Sequence, residues 1–269
     1  MITLASDFGS PYPAAMKGVV LRRSDARLVD VAHDLPRQDV RAAAFWCRET
    51  LPYFPPAVHL VVVDPGVGTE RDALVVRVGD HALVAPDNGV ALPAARRIAA
   101  EVCEAVPDVE CFRYDYDDPA SSTFHGRDVF APAAADVHEV GVGALESLDA
   151  VSPIESVPPD GSPDSVVDCR FPEPTVDPDA ATARGEVLVV DDFGNAITNV
   201  PGSFLDGRDG DTVDVNGVSA AVATAFAAVD TGERLVTVGS HGFVECDVNR
   251  GRGDEAFDLA PGDEVVLVG

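Results

Sequence analysis

From Met1 to about Gly143, short apolar runs alternate with stretches of helical periodicity. That order is expected of strands in a sheet with helices crossing over its faces. The pattern predicts strands at Ile2–Ala5, Arg27–Val31, Val58–Asp64, Ala73–Val78 and Ala82–Ala85, and helices at Ala14–Arg23, Asp39–Leu51, Val90–Glu101 and Asp128–Val140. The run His59-Leu60-Val61-Val62-Val63 is almost wholly apolar and ends in Asp-Pro-Gly, as fits a central parallel strand buried on both faces and stopped by a loop.

Periodicity is lost between about Ser152 and Arg184, where seven of the 21 prolines fall among Asp and Ser; this reads as a linker or wrapping segment without an element of its own. Beyond it, Gly185–Val190, Thr212–Val215, Val218–Val222, Arg234–Val238, Phe243–Val248 and Glu264–Val268 are short β-like runs, most of them separated by Gly and Asp turns. The expected architecture is therefore α/β: an N-terminal α/β domain over residues 1–151 with a mainly parallel central sheet, a Pro/Asp-rich linker over 152–184, and a smaller β-barrel-like domain over 185–269. No internal repeat or low-complexity segment is present.

Charge narrows the partners. The chain carries 46 acidic against 19 basic residues, of which only Lys17 is a lysine, and its net charge is −27. Such a surface repels a phosphate backbone, so nucleic acid is excluded as a partner. The acids are spread along the chain, which suggests a halophilic origin in which salt screens the repulsion. No run approaches the roughly 18 apolar residues of a membrane span, and no charged-then-apolar leader follows Met1, so a cytoplasmic protein is expected. Five cysteines, Cys47, Cys103, Cys111, Cys169 and Cys246, form no metal-ligand spacing and read as small buried hydrophobes in a reducing compartment.

Six short motifs hold candidate chemistry. Asp64 ends the buried strand, where open α/β sheets gather ligand groups, and a Gly-rich turn joins it to Arg71; a plain loop ion pair is the competing reading. Ser121-Ser122-Thr123-Phe124-His125-Gly126-Arg127-Asp128 precedes a helix that Ser122 or Thr123 could cap, which would set His125 near its positive end. Asp7 in Ser6-Asp7-Phe8-Gly9, and Asp87 with Asn88 in Pro86-Asp87-Asn88-Gly89, stand at strand ends where a carboxylate can bind a ribose diol, though both are also ordinary turns. Asp191 to Asn199 and Gly239 to Glu245 carry Asp191, Asn195, Ser240 and Glu245 in runs that equally suit hairpins. No dinucleotide fingerprint, P-loop, nucleophile elbow or zinc-protease motif is found.

Taken together and in this order, the motifs from Ser6 to Glu245 resemble the S-adenosyl-L-methionine (SAM) hydroxide adenosyltransferase family, relatives of the fluorinase and chlorinase. The resemblance implies hydrolysis of SAM to adenosine and L-methionine by water attacking the ribose 5′ carbon, with Asp64, Arg71 and His125 as the catalytic trio. The inactive sulfonium epimer is a candidate substrate. The resemblance further implies that Asp7 binds the ribose hydroxyls, that Asp191 and Ser240 hold the amino acid end, that Asn195 lines the adenine side, and that SAM lies at a subunit interface of a homotrimer. The halogenating relatives carry Tyr where Asp64 stands and Ser where Gly126 stands, which places this chain with the water users. SAM is then the substrate, and neither cofactor nor metal is called for. The alternatives are a SAM-dependent halogenase of the same fold and a non-catalytic SAM or adenosine sensor; a methyltransferase lacks its glycine-rich SAM loop.

Overall fold

The protein is described by a computed structural model covering residues 1–69, 71–101, 109–117, 119–154 and 166–269. It divides into two compact units, Met1–Cys169 and Arg170–Gly269.

The first unit contains β1 (Ile2–Ser6), α1 (Tyr12–Val20), β2 (Leu28–Ala32), α2 (Val40–Thr50), β3 (Val58–Val62), β4 (Ala73–Val78), β5 (His81–Pro86), α3 (Leu92–Glu101), β6 (Glu110–Tyr114), α4 (Ala131–Val140) and β7 (Val151–Pro153). These strands make one sheet in the order β2-β1-β3-β5-β4-β6-β7. The β2-β1-β3-β5 half is parallel, and β4, β6 and β7 extend it antiparallel. All five β3 residues are buried, as a strand covered on both faces requires. Val58, Leu60 and Val62 pack with Met16 and Val20 of α1 and the alanines of α4, while helices α2 and α3 pack on each other.

Strands β1 to β5 and all four helices lie where the hydrophobic pattern puts them, with shifts at their ends. Helix α1 begins at Tyr12, two residues before Ala14, because Pro13 is accommodated in its first turn. Asp39 caps α2, its carboxylate accepting from the Ala42 amide at 2.9 Å. Strand β3 stops at Val62, so Asp64 lies in the loop and not in the strand. Strand β6 escaped the pattern because Cys111 and Phe112 are neighbours and both buried, which breaks the two-residue alternation.

In the second unit, β8 (Thr175–Asp177), β9 (Thr182–Val190), β10 (Ala196–Pro201), β11 (Thr212–Val215), β12 (Val218–Val222), β13 (Arg234–Val238), β14 (Phe243–Val248) and β15 (Glu264–Val268) are joined by turns and the short α5 (Gly253–Phe257). The order β10-β14-β13-β12-β11-β15-β9, with β9 pairing back onto β10, closes a seven-stranded barrel to which β8 adds at β9. Closure removes the free sheet edges. Val187, Val213, Val215, Val236, Val244 and Leu267 are among the residues that fill the interior.

Two readings are corrected here. The segment expected to lack elements holds β7, β8 and the first residues of β9. The run read as a turn through Asn199 turns only as far as Asn195 and then becomes β10. Polar Thr198 and Asn199 disguise this strand, but both are buried and bonded, Thr198 Oγ1 to the Val244 carbonyl and Asn199 Nδ2 to that of Pro172. Cys47, Cys111 and Cys246 are buried free thiols and Cys169 is half-buried, whereas Cys103 lies outside the described residues.

Candidate active site

Asp64 lies just beyond β3, its side chain only 2% exposed. Its Oδ1 accepts a hydrogen bond from the Gly66 amide at 2.9 Å. Arg71 Nη1 approaches the same oxygen at 3.3 Å, yet this buried nitrogen donates to nothing among the described residues. The pair is thus in ionic contact with one donor unused. The sharp turn that sequence suggested is real. A Cβ on residue 66 would fall 2.4 Å from Arg71 Nη2 and 2.7 Å from its Cζ, so any larger residue there would displace the guanidinium from its present place beside Asp64.

Asp64 opens into a cavity of about 650 Å³ that Asp7, Phe8, Tyr12, Arg37 and Phe124 also line. Three of these rings meet edge to face, Phe8 with Phe124 at 5.7 Å and Tyr12 with Phe124 at 5.4 Å between centroids. Asp7 Oδ2 accepts from the Gln38 amide at 2.7 Å, which fixes its carboxylate in this wall.

His125 is 6% exposed and stands at the entry to a π-helical turn, Gly126–Phe130, that runs into α4. Such turns are frequent at functional sites. The helix cap expected from Ser122 or Thr123 is not formed: no side chain among the described residues caps either helical segment, and Ser121 Oγ instead accepts from the Thr123 amide. His125 does not line the Asp64 cavity. It meets Arg71 through Tyr116, whose ring stands edge-on to the imidazole at 6.4 Å and whose hydroxyl donates to the Arg71 carbonyl at 3.4 Å. Burial, with the Asp72 and Asp64 charges adding to it, holds the Tyr116 phenol above its usual pKa, so it remains a donor. Sequence reading missed Tyr116; the signal was the Tyr114-Asp115-Tyr116 repeat at the end of β6, visible only once that strand is known.

Asp87 and Asn88 follow β5 and are turned toward the backbone. Asp87 Oδ1 accepts from the Val167 amide at 2.7 Å, and burial raises its pKa. Asn88 Nδ2 donates to the Val63 carbonyl at 2.8 Å, while its Oδ1 accepts from the Val90 amide at 3.2 Å.

The remaining four candidates line one cleft of about 940 Å³ in the barrel unit, together with Phe193, Ile197 and Phe226. Asp191 organises the β9–β10 turn, accepting from the Phe193 and Asn195 amides at 2.9 Å each and from Asn195 Nδ2 at 3.0 Å. The hairpin reading of that motif therefore holds alongside its place in a cleft. Ser240 is exposed and Glu245 buried. Burial, reinforced by the Asp191 charge, pushes the Glu245 carboxyl up to about 7. Asp247, two residues on along β14, is wholly buried with neither oxygen hydrogen-bonded among the described residues, and is pushed up to about 8 by burial and then by Glu245 and Asp191.

Among the described residues, one group has side-chain spacing that could hold a metal ion: Asp25, His138 and Glu139. Both ring nitrogens of His138 are already engaged, by the Met1 amine and by Ser24 Oγ.

The sequence matches the family models described as SAM hydroxide adenosyltransferase N-terminal domain, over residues 2–148, and SAM hydroxide adenosyltransferase C-terminal domain, over residues 185–266. Proteins named (R)-S-adenosyl-L-methionine hydrolase from Salinispora tropica and Thermus thermophilus are each 38% identical to it, the alignments covering 98% of this chain and 96% and 97% of theirs. A crystal structure titled as an uncharacterized conserved protein from Thermotoga maritima superposes with a TM-score of 0.80 at 33% identity, covering all of both chains. A conserved hypothetical protein from Thermus thermophilus gives 0.72 at 35% identity over 99% of each.

Proposed function

This chain belongs to the SAM hydroxide adenosyltransferase family, and on that premise we propose that it hydrolyses SAM to adenosine and L-methionine, with Asp64, Arg71 and His125 as its catalytic residues. The observation that carries the residue assignment is the buried Arg71 Nη1 beside Asp64, a donor with no hydrogen-bond acceptor among the described residues.

Attack of hydroxide on a sulfonium brings opposite charges together, so the transition state is less polar than the reactants and a dry, apolar-walled pocket favours it. The thioether of methionine leaves neutral and needs no acid. What the reaction lacks at neutral pH is hydroxide. Asp64 takes the proton from water as a new bond forms from water oxygen to C5′ and the C5′–S bond breaks with its electrons going to sulfur. The unused Arg71 donor stabilises the developing hydroxide, while Gly66 and Arg71 fix the carboxylate's direction. Tyr116 ties the Arg71 backbone to His125.

Asp7, in the Asp64 cavity, is suited to the ribose hydroxyls. In the barrel cleft Asp191, Ser240 and Glu245 suit the ammonium end of the substrate and Asn195 the adenine. Phe193, Phe226 and Val238 line the same cleft and are exposed apolar side chains, at 79%, 42% and 48%, a pattern that fits burial against a second copy. We assign the functional form as a homotrimer that binds SAM between subunits. No helix among the described residues is long and apolar enough to cross a membrane, and we place the enzyme in the cytoplasm.

The relatives' name specifies the R sulfonium epimer, and this epimer is the proposed substrate. Each SAM epimer, supplied separately with chloride present and the nucleoside products followed by mass spectrometry, tests the whole reading. Adenosine formed faster from the R epimer supports it; equal rates overturn the epimer assignment, chloroadenosine would make the enzyme a halogenase, and binding without product would make it a sensor.

A further inference from the structure

Asn88 sits at a strand end, where sequence alone suggests substrate contact, but both of its polar atoms are committed to the protein backbone. Nδ2 donates to the carbonyl of Val63, the residue immediately before Asp64, at 2.8 Å, and Oδ1 accepts from the Val90 amide. The β5–α3 turn is therefore tied to the peptide unit that joins Val63 to Asp64. Because β3 ends at Val62, no strand pairing among the described residues holds that peptide unit. The Asn88 amide supplies the bond that the strand end leaves unmade.

The turn is itself held from a distant part of the chain. The Val167 amide donates to Asp87, Gly89 and Asp168 form an isolated parallel bridge, and Arg96 in α3 grips Asp168 through two hydrogen bonds of 2.9 and 2.6 Å. Residues 166–169 thus strap the β5–α3 turn against the sheet, some 80 residues from it in sequence. The chain of contacts ends at the Val63 carbonyl, in the peptide unit that leads into Asp64.

We propose that Asn88 is a positioning residue for Asp64, and that the 166–169 strap acts through it to hold the carboxylate in line with the attacking water. This rests on Asp64 being the base in the proposed reaction. Small misplacement of a reacting group lowers the rate by about 100-fold at the extreme while leaving ground-state binding little changed.

The test compares Asn88→Ala and Asn88→Asp with the parent enzyme. Aspartate can still accept from the Val90 amide but cannot donate to the Val63 carbonyl. Both variants are expected to lose about 10- to 100-fold in kcat, with KM for SAM within about twofold of the parent. Hydrogen exchange of the Gly66 amide, which donates to Asp64, should speed up in both without substrate present. Unchanged kcat in both variants, or a raised KM at constant kcat, would overturn the proposal, the latter returning Asn88 to substrate binding. If Asn88→Ala fails to fold, Asp168→Asn at the strap must reproduce a smaller loss of kcat with the same KM, and an unchanged kcat there overturns the proposal equally. An enzyme that releases no adenosine from either epimer defeats the functional reading instead, and Gly66 exchange then still reports whether Asn88 orders the Asp64 loop.

Discussion

The Phe8 ring lies so close over Gly126 that a Cβ on residue 126 would fall 2.8 Å from Phe8 Cε2 and 3.3 Å from Met16 Sδ. The family resemblance read from the sequence implies Ser at that position in the halogenating relatives, and such a difference would be one of space as well as chemistry. Gly126→Ser is expected to destabilise the protein by about 1–3 kcal/mol through overpacking, without creating a halide site. Thermal melts of Gly126→Ser with and without Phe8→Leu check this. Recovery of the midpoint by the second change is expected, and an unshifted midpoint in the single variant would show that Phe8 yields freely.

Asp64→Asn keeps the side-chain shape and removes the proton acceptor. Adenosine release is expected to fall by about 100- to 10,000-fold while SAM binding, followed by calorimetry, stays within about threefold. Arg71→Lys retains the charge but not the planar fork that reaches Asp64 from across Gly66, so it should fall nearly as far. Turnover retained in Asp64→Asn would remove that residue from the mechanism.

How much of this was legible in sequence follows the reach of each interaction. Strands and helices announced themselves where an apolar run, alternation or helical spacing was clear, as in β3, apolar but for His59, or the Asp39-capped α2. Strands β6 and β10 did not, because paired buried neighbours in one and bonded polar residues in the other violate the pattern locally and are satisfied only by partners far along the chain. The Asp64-to-Arg71 spacing was readable because a single Gly-rich turn sets it. Tyr116, and the reach from Val167 through Asp87 and Asn88 to Val63, were not, since the residues joined stand between 25 and 80 positions apart.

The charge of −27 predicts a salt response. Raising ionic strength from about 0.1 to 1 M shortens the screening length from about 10 Å to about 3 Å and weakens repulsion among scattered surface carboxylates. The melting midpoint should rise over that range in sodium chloride and in potassium chloride alike. A midpoint independent of salt would defeat the halophilic reading of the composition.

The two units should respond to pH in opposite directions. In the first, His59 and His81 are buried and stacked at 5.3 Å, with a 3.0 Å hydrogen bond between their rings. Burial, with the His81 charge adding to it, pushes His59 down to about 3, and burial also lowers His81. Their folded-state values lie below the unfolded one, so the stability they confer is present above about 6.5 and is lost as pH falls from there toward 3. In the second unit Glu245 and Asp247 are raised to about 7 and about 8 from ordinary values of 4.5 and 3.8. Because they fold more readily when protonated, stability is full below about 4 and is lost as pH rises through 7 to 8, the pair titrating together. Asp247→Asn removes the charge that must be buried, so it should raise the barrel unit's stability at about pH 9 and change it little at about pH 4. Amide exchange measured separately on β3 and β14 between about pH 4 and 9, with exchange rates corrected for their intrinsic pH dependence, reads the two units independently. Protection in β14 that stays constant across this range, or that Asp247→Asn lowers at the alkaline end, would show that Asp247 is compensated in the folded protein.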